Sequence, residues 1–345
     1  MNKVHTFQIE IDWKLISEIS IIDRFDASWI SVEKREGQSL KQLKSVATVK
    51  SVGASTRIEG SLMNDEEVDI LLQSLSIEKL VDRDSQEVAG YYEVLDTISE
   101  SYNVINITEN AIKDLHNRLM RYSEADQWHK GNYKQLRNSV EARMPDGSTQ
   151  VVFVTTPPGI ETEDAMRNLV SWYNTDKSTH PLVKCALFAY EFVSIHPFQD
   201  GNGRLSRLLT TLLLLKNGYR WIQYVSFESE IEDRKTEYYR ELRRCQAQRP
   251  NENVTTWIYF FFSALKNIQV KLEKKLETTG ALSKLDPKEK SILAYISDHP
   301  GTKSGTISKK LGIPVPTVKK LVNNLYTKNL IERFGTGPGT NYSIK

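Results

Sequence analysis

Residues 181–215 constrain this chain more than any other stretch, because two apolar helical segments there flank a short loop dense in glycine and charge. The first segment, Pro181 to Ile195, carries Cys185, Ala186, Phe188, Ala189, Phe192 and Val193. The second, Leu205 to Leu215, is broken only by Ser206, Arg207, Thr210 and Thr211. It is far shorter than the ~20 apolar residues that span a bilayer, so it reads as a buried helix. A loop gripped between two buried helices is fixed at both ends, which suits reactive groups.

The loop and the turn after it read His196-Pro197-Phe198-Gln199-Asp200-Gly201-Asn202-Gly203-Arg204-Leu205-Ser206-Arg207. Gly201, Asn202 and Gly203 permit unusual backbone angles and leave N–H groups exposed where the second helix begins. Successive N–H groups at a positive helix end form an anion site suited to a phosphate chain. Arg204 and Arg207 share one side of the first turns, where cations oppose the macrodipole and require an anionic partner. Asp200 offers the hard oxygen that Mg2+ on a polyphosphate needs. His196 can accept a proton near neutral pH. A base, a metal ligand and a triphosphate cradle therefore lie within twelve residues.

The run resembles the Fic-family signature His-x-Phe-x-(Asp/Glu)-Gly-Asn-Gly-Arg-x-x-Arg at every specified position. The resemblance implies a mainly α fold, a Fic helical core with a β-hairpin flap, and a protein adenylyltransferase. Such an enzyme moves AMP from ATP onto a Ser, Thr or Tyr hydroxyl and releases pyrophosphate. By the same resemblance His196 is the general base and Asp200 the Mg2+ ligand. Gly201, Asn202 and Gly203 hold the α- and β-phosphates, Arg204 the β-phosphate and Arg207 the γ-phosphate, while Phe198 packs inward and fixes the loop. Gly131-Asn132-Tyr133 and the later stretch from Phe153 through Pro158 resemble the flap, which pins a target protein along residues 139–156 by strand pairing. The family often has arginine after that tyrosine; Lys134 stands here, with Arg137 nearby. Tyr238-Tyr239-x-x-Leu242 resembles the border of the adenine pocket, with Gln246 where many members carry asparagine. Tyr239 and Gln246 are thereby implied in nucleotide binding.

Upstream, Ser55-Thr56-Arg57-Ile58-Glu59-Gly60 is similar to the family's inhibitory pattern (Ser/Thr)-x-x-x-Glu-(Gly/Asn). A carboxylate paired with Arg207 would occupy the guanidinium that the γ-phosphate needs. Taken alone, the same six residues also fit an ordinary helix C-terminus closing on glycine. Rival reactions on this fold are transfer of phosphocholine or phosphate, and removal of AMP with a glutamate like Glu59 helping to activate water. A Doc-like kinase is disfavoured, because that relative has lysine where Gly203 stands.

Helical periodicity dominates the rest of the chain. Leu40, Leu43, Val46 and Val49 recur at three-residue steps and predict one buried face over Ser39–Val52. Asn64 is expected to cap a helix whose first turn holds Asp65, Glu66 and Glu67. Further helices are expected at Ala89–Ser99, Thr108–Tyr122, Glu163–Asn174 and Pro181–Ile195. Ser139–Arg143 and Val151–Thr155 are β-prone around the turn residues Pro145-Asp146-Gly147, which predicts a hairpin. Near the end, helices at Pro287–Ser297, Ser304–Leu311 and Pro316–Lys328 precede strands Ile331–Phe334 and Tyr342–Ile344, the order of a winged helix-turn-helix. The expected parts are therefore a helical region 1–95 carrying the inhibitory motif, a catalytic core 96–265, a linker helix 266–284 and a winged helix domain 285–345.

Composition narrows the setting. The 46 basic and 44 acidic residues nearly cancel, which argues against a surface coated throughout by nucleic acid or anionic lipid but leaves room for a local basic patch. Lys303, Lys309, Lys310, Lys319, Lys320, Lys328 and Lys345 gather in the last segment, so DNA or a docking protein is an expected partner of 285–345. Only Cys185 and Cys245 are present, both expected as small buried side chains, and the charged N-terminus lacks a signal-peptide core. The expectation is a cytoplasmic protein without membrane contact, and helical Fic cores commonly self-associate into homodimers.

Overall fold

Local signals start and stop the helices of this mainly helical chain. The computed structural model describes residues 7–35, 37–75, 80–143, 149–283 and 285–345. In chain order the elements are α1 (Trp13–Arg35), α2 (Gly37–Ile58), α3 (Asp65–Ser74), α4 (Arg83–Ser101), α5 (Glu109–Leu119), β1 (Ser139–Arg143), β2 (Thr149–Val154), α6 (Ile160–Thr175), α7 (Pro181–Ile195) and α8 (Asn202–Lys216). After a 3-10 turn at Arg220–Tyr224 follow α9 (Phe227–Asp233), α10 (Lys235–Gln246), α11 (Thr255–Ser283), α12 (Pro287–Asp298), α13 (Ser304–Leu311), α14 (Val315–Thr327), β3 (Ile331–Phe334) and β4 (Asn341–Ile344). They fall into two compact units, Met1–Val270 and Lys271–Lys345.

In the first unit Asn64 caps α3 in a full capping box with Glu67, as expected. Asp82 and Thr108 cap α4 and α5 by accepting N–H bonds from Ser85 and Ala111. The expected helix Thr108–Tyr122 is shorter, Glu109–Leu119, because Thr108 serves as its cap. At the centre, α7 and α8 pack on each other. Every residue of α8 from Arg204 to Leu215 is buried, and so are Cys185 and Cys245, both free thiols. Around this pair α2 lies against α4, α8 and α9. Gly90 lets α4 and α5 close in, since a Cβ there would collide with the Leu119 carbonyl. Among the described residues no helix is long and apolar enough to cross a membrane.

Two expectations change. The helix placed at Ser39–Val52 runs from Gly37 to Ile58, so Ser55–Ile58 form its last turn and Glu59 and Gly60 the turn that follows. Its buried face is Leu40, Leu43 and Ala47 rather than Val46, which is 43% exposed. Steps of three fall about 60° short of a full turn each time, so the stripe must shift to a step of four. The second change is α1, which lies inside the helical region expected over 1–95 but had no bounds of its own there.

The hairpin forms as expected, with Ser139 opposite Val154 and Val140 opposite Phe153, and a register shift after Val140. Its second strand is Thr149–Val154 rather than Val151–Thr155, and the turn Pro145-Asp146-Gly147 lies outside the described residues.

The second unit has its own core. Ile292, Ile296, Ile307, Val318, Leu325 and Ile331 pack together. Asp286 starts α12 with a capping box to Glu289, and Gly312 ends α13 in the left-handed region. β3 and β4 pair antiparallel from Ile331 opposite Ile344 to Phe334 opposite Asn341. Three helices and a hairpin complete the winged arrangement.

Candidate active site

The loop between α7 and α8 owes its shape to two left-handed residues, His196 (φ 55) and Gly201 (φ 76). For His196 that conformation is strained by about 1–3 kcal/mol and persists only where neighbours enforce it. Here they do. The Asn202 side chain accepts the Phe198 N–H at 2.9 Å and donates to the Phe198 carbonyl at 2.8 Å. Phe198 is fully buried, its ring stacked on His116 at 3.8 Å and 6°. His116 Nε2 donates to the Asp200 carbonyl (3.0 Å) while its Nδ1 accepts the Gly131 N–H (2.9 Å), so both bonds fix one tautomer. Burial holds that imidazole down to about 4, so it remains a neutral clamp. The flap base is tied to the same loop by Lys134 N–H to the Pro197 carbonyl (2.8 Å) and Asn138 Nδ2 to the Phe198 carbonyl (2.9 Å).

One cavity of about 130 Å³ collects His196, Asp200, the Gly201–Arg204 turn, Arg207, Tyr239 and Gln246, with Glu59 entering from α2. His196 Nδ1 lies 3.3 Å from the Val193 carbonyl and donates to it, which leaves Nε2 as the acceptor. Burial, aided by the Lys134 charge, brings the imidazole down to about 4, against the opposing pull of the Val193 carbonyl, Glu59 and Asp200. It is therefore neutral at physiological pH. Asp200 accepts the Gly201 N–H (2.7 Å) and the Arg204 guanidinium (3.3 Å), and its side chain is 47% exposed. Burial raises its carboxyl, but Arg204, the Gly201 N–H and Arg83 outweigh that and hold it below the usual range. An ionised, half-open carboxylate beside a helix N-terminus fits Mg2+ that takes its remaining ligands from phosphates and water. Asn202, Gly203 and Arg204 open α8, so their N–H groups have no partner within the helix.

The two arginines are held differently. Arg204 reaches Glu87 and Asp200, each at 3.3 Å, and its buried Nε has no partner. Arg207 gives Nε to Ser55 Oγ (2.8 Å), and Nη2 to both the Ser55 carbonyl (3.0 Å) and Glu59 Oε1 (2.8 Å). Burial raises the Glu59 carboxyl, yet Arg207 and Arg204 together hold it below its ordinary value, although its side chain is 31% exposed. Gly203 makes room for that carboxylate, because a Cβ there would sit inside contact distance of Glu59 Oε1.

The turn carrying Glu59 is anchored from outside the cavity. Arg57 forks onto Glu232 (2.7 and 3.0 Å), pairs with Asp65 (2.9 Å) and donates to the Met63 carbonyl (3.0 Å). Lys235 donates to the Ile58 carbonyl at 2.6 Å, and Gly60 (φ 111) lets the chain turn away.

All the residues singled out in 196–207 and 55–60 meet in this region, apart from one adjustment. The Asn202 side chain is spent on Phe198, so it can face a ligand only through its backbone. Gln246 lines the cavity while its amide donates to Ser194 Oγ (3.0 Å), and Arg243 lies over the Tyr239 ring at 5.6 Å. His116, Glu87 and the anchoring role of Arg57 were not expected. His116 stands in the Ile112–Leu115–Leu119 stripe of α5, and a polar residue in an apolar stripe is the signal that marks it.

In the second unit a groove of about 620 Å³ is lined by Lys303, Lys319, Asn323, Tyr326 and Arg333. Lys319 and Lys320 face outward, as expected of α14. Lys328 is instead paired with Glu289 at 3.0 Å, and Arg333, absent from the expected set, lies over the Tyr326 ring at 5.0 Å.

Residues 106–214 match the model of the Fic/DOC family. This segment is a Fic/DOC domain. Residues 285–332 match the model described as winged helix-turn-helix DNA-binding. The chain is 27% identical over 205 residues to the protein adenylyltransferase Fic of Drosophila grimshawi, covering 58% of this chain and 39% of that protein. It is 28% identical over 185 residues to the Drosophila melanogaster protein of the same name, covering 52% and 35%. The chain thus spans well under half the length of these curated relatives. A crystal structure of a Fic family protein from Desulfovibrio desulfuricans shares the fold over 99% of this chain and 98% of that one, at a TM-score of 0.64 and 23% identity. A Fic domain containing signaling protein from Bacteroides thetaiotaomicron does so over 74% and 97%, at 0.62 and 23%.

Proposed function

We propose that the chain transfers AMP from ATP to a Ser, Thr or Tyr hydroxyl of a protein held along the flap, and that Glu59 restrains it. The observation that carries this reading is the convergence of His196, Asp200, the α8 N-terminus, Arg204 and Arg207 on one cavity. Nε2 of His196 takes the proton of the acceptor hydroxyl. The hydroxyl oxygen bonds to the α-phosphorus as the bond from that phosphorus to the β-phosphate bridge oxygen breaks, and pyrophosphate departs. The helix N-terminus, Arg204 and Arg207 bind the triphosphate and neutralise its charge. Asp200 would hold Mg2+, whose charge, when bound, screens the phosphates. With Glu59 on Arg207, the guanidinium that would seat the γ-phosphate is occupied, so ATP binds with its α-phosphorus turned away from the hydroxyl. Release of pyrophosphate together with AMP-modified protein tests the reading; hydrolysis to free AMP or transfer of phosphate would contradict it.

A second reading concerns the same site. The ionised Glu59 carboxylate at the cavity is suited to activate water for removal of AMP from a modified protein. Loss of that removal in Glu59→Gly, alongside gain of transfer, is the expected outcome; removal that survives in the variant contradicts it. For the second unit, the cationic groove supports duplex DNA as partner. Binding that weakens steeply with salt is expected, and absence of binding at low salt contradicts it.

A further inference from the structure

Lys134 is a cation with 2% exposure whose ammonium, among the described residues, has only neutral hydrogen-bond acceptors: Asn138 Oδ1 (2.9 Å), Thr155 Oγ1 (2.9 Å) and the Ile195 carbonyl (3.2 Å). A buried charge without a counter-charge is unfavourable, and an amide or apolar side chain would fill the place at lower cost. Its position is therefore informative. Asn138 precedes β1, Thr155 follows β2, and Ile195 is the last residue of α7, directly before His196. Thr155 Oγ1 also reaches Asn138 (2.9 Å to the carbonyl, 2.6 Å to Oδ1), so the two ends of the flap are joined at this ammonium.

We propose that Lys134 is a positioning residue for the transfer step: one buried ammonium locks both ends of the flap to the backbone beside His196 and keeps that imidazole ready to accept a proton. This rests on the reading of His196 as the base. A target strand laid along the flap is then held in fixed register with His196, because flap and base share one anchor. Burial and the Val193 carbonyl act most strongly on His196, in opposite senses; of the charged groups, Lys134 disfavours its protonation, and Glu59 and Asp200 favour it. Burial brings Lys134 itself down to about 8, so its charge fades as pH rises through that value. Lysine rather than arginine at this place gives the site an alkaline limit.

The test uses the full chain with Glu59→Gly as the active parent, together with Lys134→Arg and Lys134→Met in that background. The His196 imidazole signal, identified by its loss in His196→Ala, is followed by NMR from acid to neutral pH. In parallel, AMP transfer is measured from pH 6 to pH 10, with melting curves to verify folding. The Met variant is expected to move the His196 midpoint up by about one pH unit and to lower turnover about tenfold or more. The Arg variant is expected to keep the parent's midpoint and most of its turnover, and to lose the alkaline limb near pH 8. A His196 midpoint unmoved in the Met variant, or an alkaline limb that persists in the Arg variant, overturns the proposal. The NMR midpoint reads the Lys134–His196 link without any turnover, so failure of the proposed reaction and failure of this proposal give different results.

Discussion

The loop around His196 and the turn around Glu59 meet at Arg207, yet different forces hold them. The loop is framed by buried, mostly neutral hydrogen bonds: Asn202 on Phe198, His116 on Asp200, and the flap base on the Pro197 and Phe198 carbonyls. The turn is held by ion pairs that solvent partly reaches, with Arg57 at 22% and Glu232 at 29% side-chain exposure, while Glu59 at 31% meets a buried Arg207. Buried neutral bonds in a low dielectric are insensitive to ionic conditions and give a permanent frame. Partly exposed ion pairs such as Arg57–Glu232 are weaker and screened, which suits a part that comes away under the restraint proposed above. The contrast assigns permanence to the loop and reversibility to the turn, although both end on the same guanidinium.

The contrast breaks most sharply if the frame proves dispensable. Asn202→Ala removes both bonds to Phe198 and leaves a buried N–H without a partner, a loss of about 1–3 kcal/mol. With the loop slack, AMP transfer should fall about a hundredfold; melting curves and turnover in the Glu59→Gly background measure both, and near-parent turnover would place the frame elsewhere. A smaller effect is expected on the other side. Arg57→Met cuts the turn loose from Glu232 and should raise wild-type turnover a few-fold, yet add nothing in Glu59→Gly, because both changes release Arg207. Additive gains would show that Arg57 acts by another route.

The smallest expected effect is on stability against pH. The folded Glu59 carboxyl lies below its ordinary value of 4.5. Its pairing with Arg207 therefore stabilises the fold fully above about 4.5 and loses that contribution as pH falls through the lower folded value. Wild type should melt about 2–4 °C above Glu59→Gln at pH 7, and the gap should close only in more acidic solution. A gap that closes between pH 5 and 6 would contradict the ion pair as the source of restraint.

How much of this was legible beforehand depended on the same division. That residues 196–207 gather at one site was legible from sequence, because the signature sets them in one loop and the helix turn after it, and the structure brings His196, Asp200, Arg204 and Arg207 to one cavity. Glu59 and its pairing with Arg207 were legible through the family pattern, and the structure places the two 2.8 Å apart; the anchoring of that turn by Arg57 on Glu232 was not, because it joins residues far apart in the chain. Lys134 was legible as the residue standing where the family often has arginine, but its burial under the flap depends on Asn138, Thr155 and Ile195, which only the fold gathers around it. α1, inside the helical region expected over 1–95, had no bounds in sequence because its buried residues are Leu15, Ile22 and Trp29, seven apart, while Trp13, Ile16 and Ile30 are exposed. So narrow a stripe, mixed with outward apolar residues, blurs the 3.6-residue period. In the second unit, by contrast, Val318, Leu321, Val322 and Leu325 form a clean stripe, and α13 and β3 were placed to the residue.

The most direct test of the central claim is incubation of wild type, Glu59→Gly and His196→Ala with α-labelled ATP and Mg2+, reading label retained on protein. The account predicts faint label in wild type, at least roughly tenfold more in Glu59→Gly, and none in His196→Ala. Equal label in wild type and Glu59→Gly, or undiminished label in His196→Ala, would contradict it.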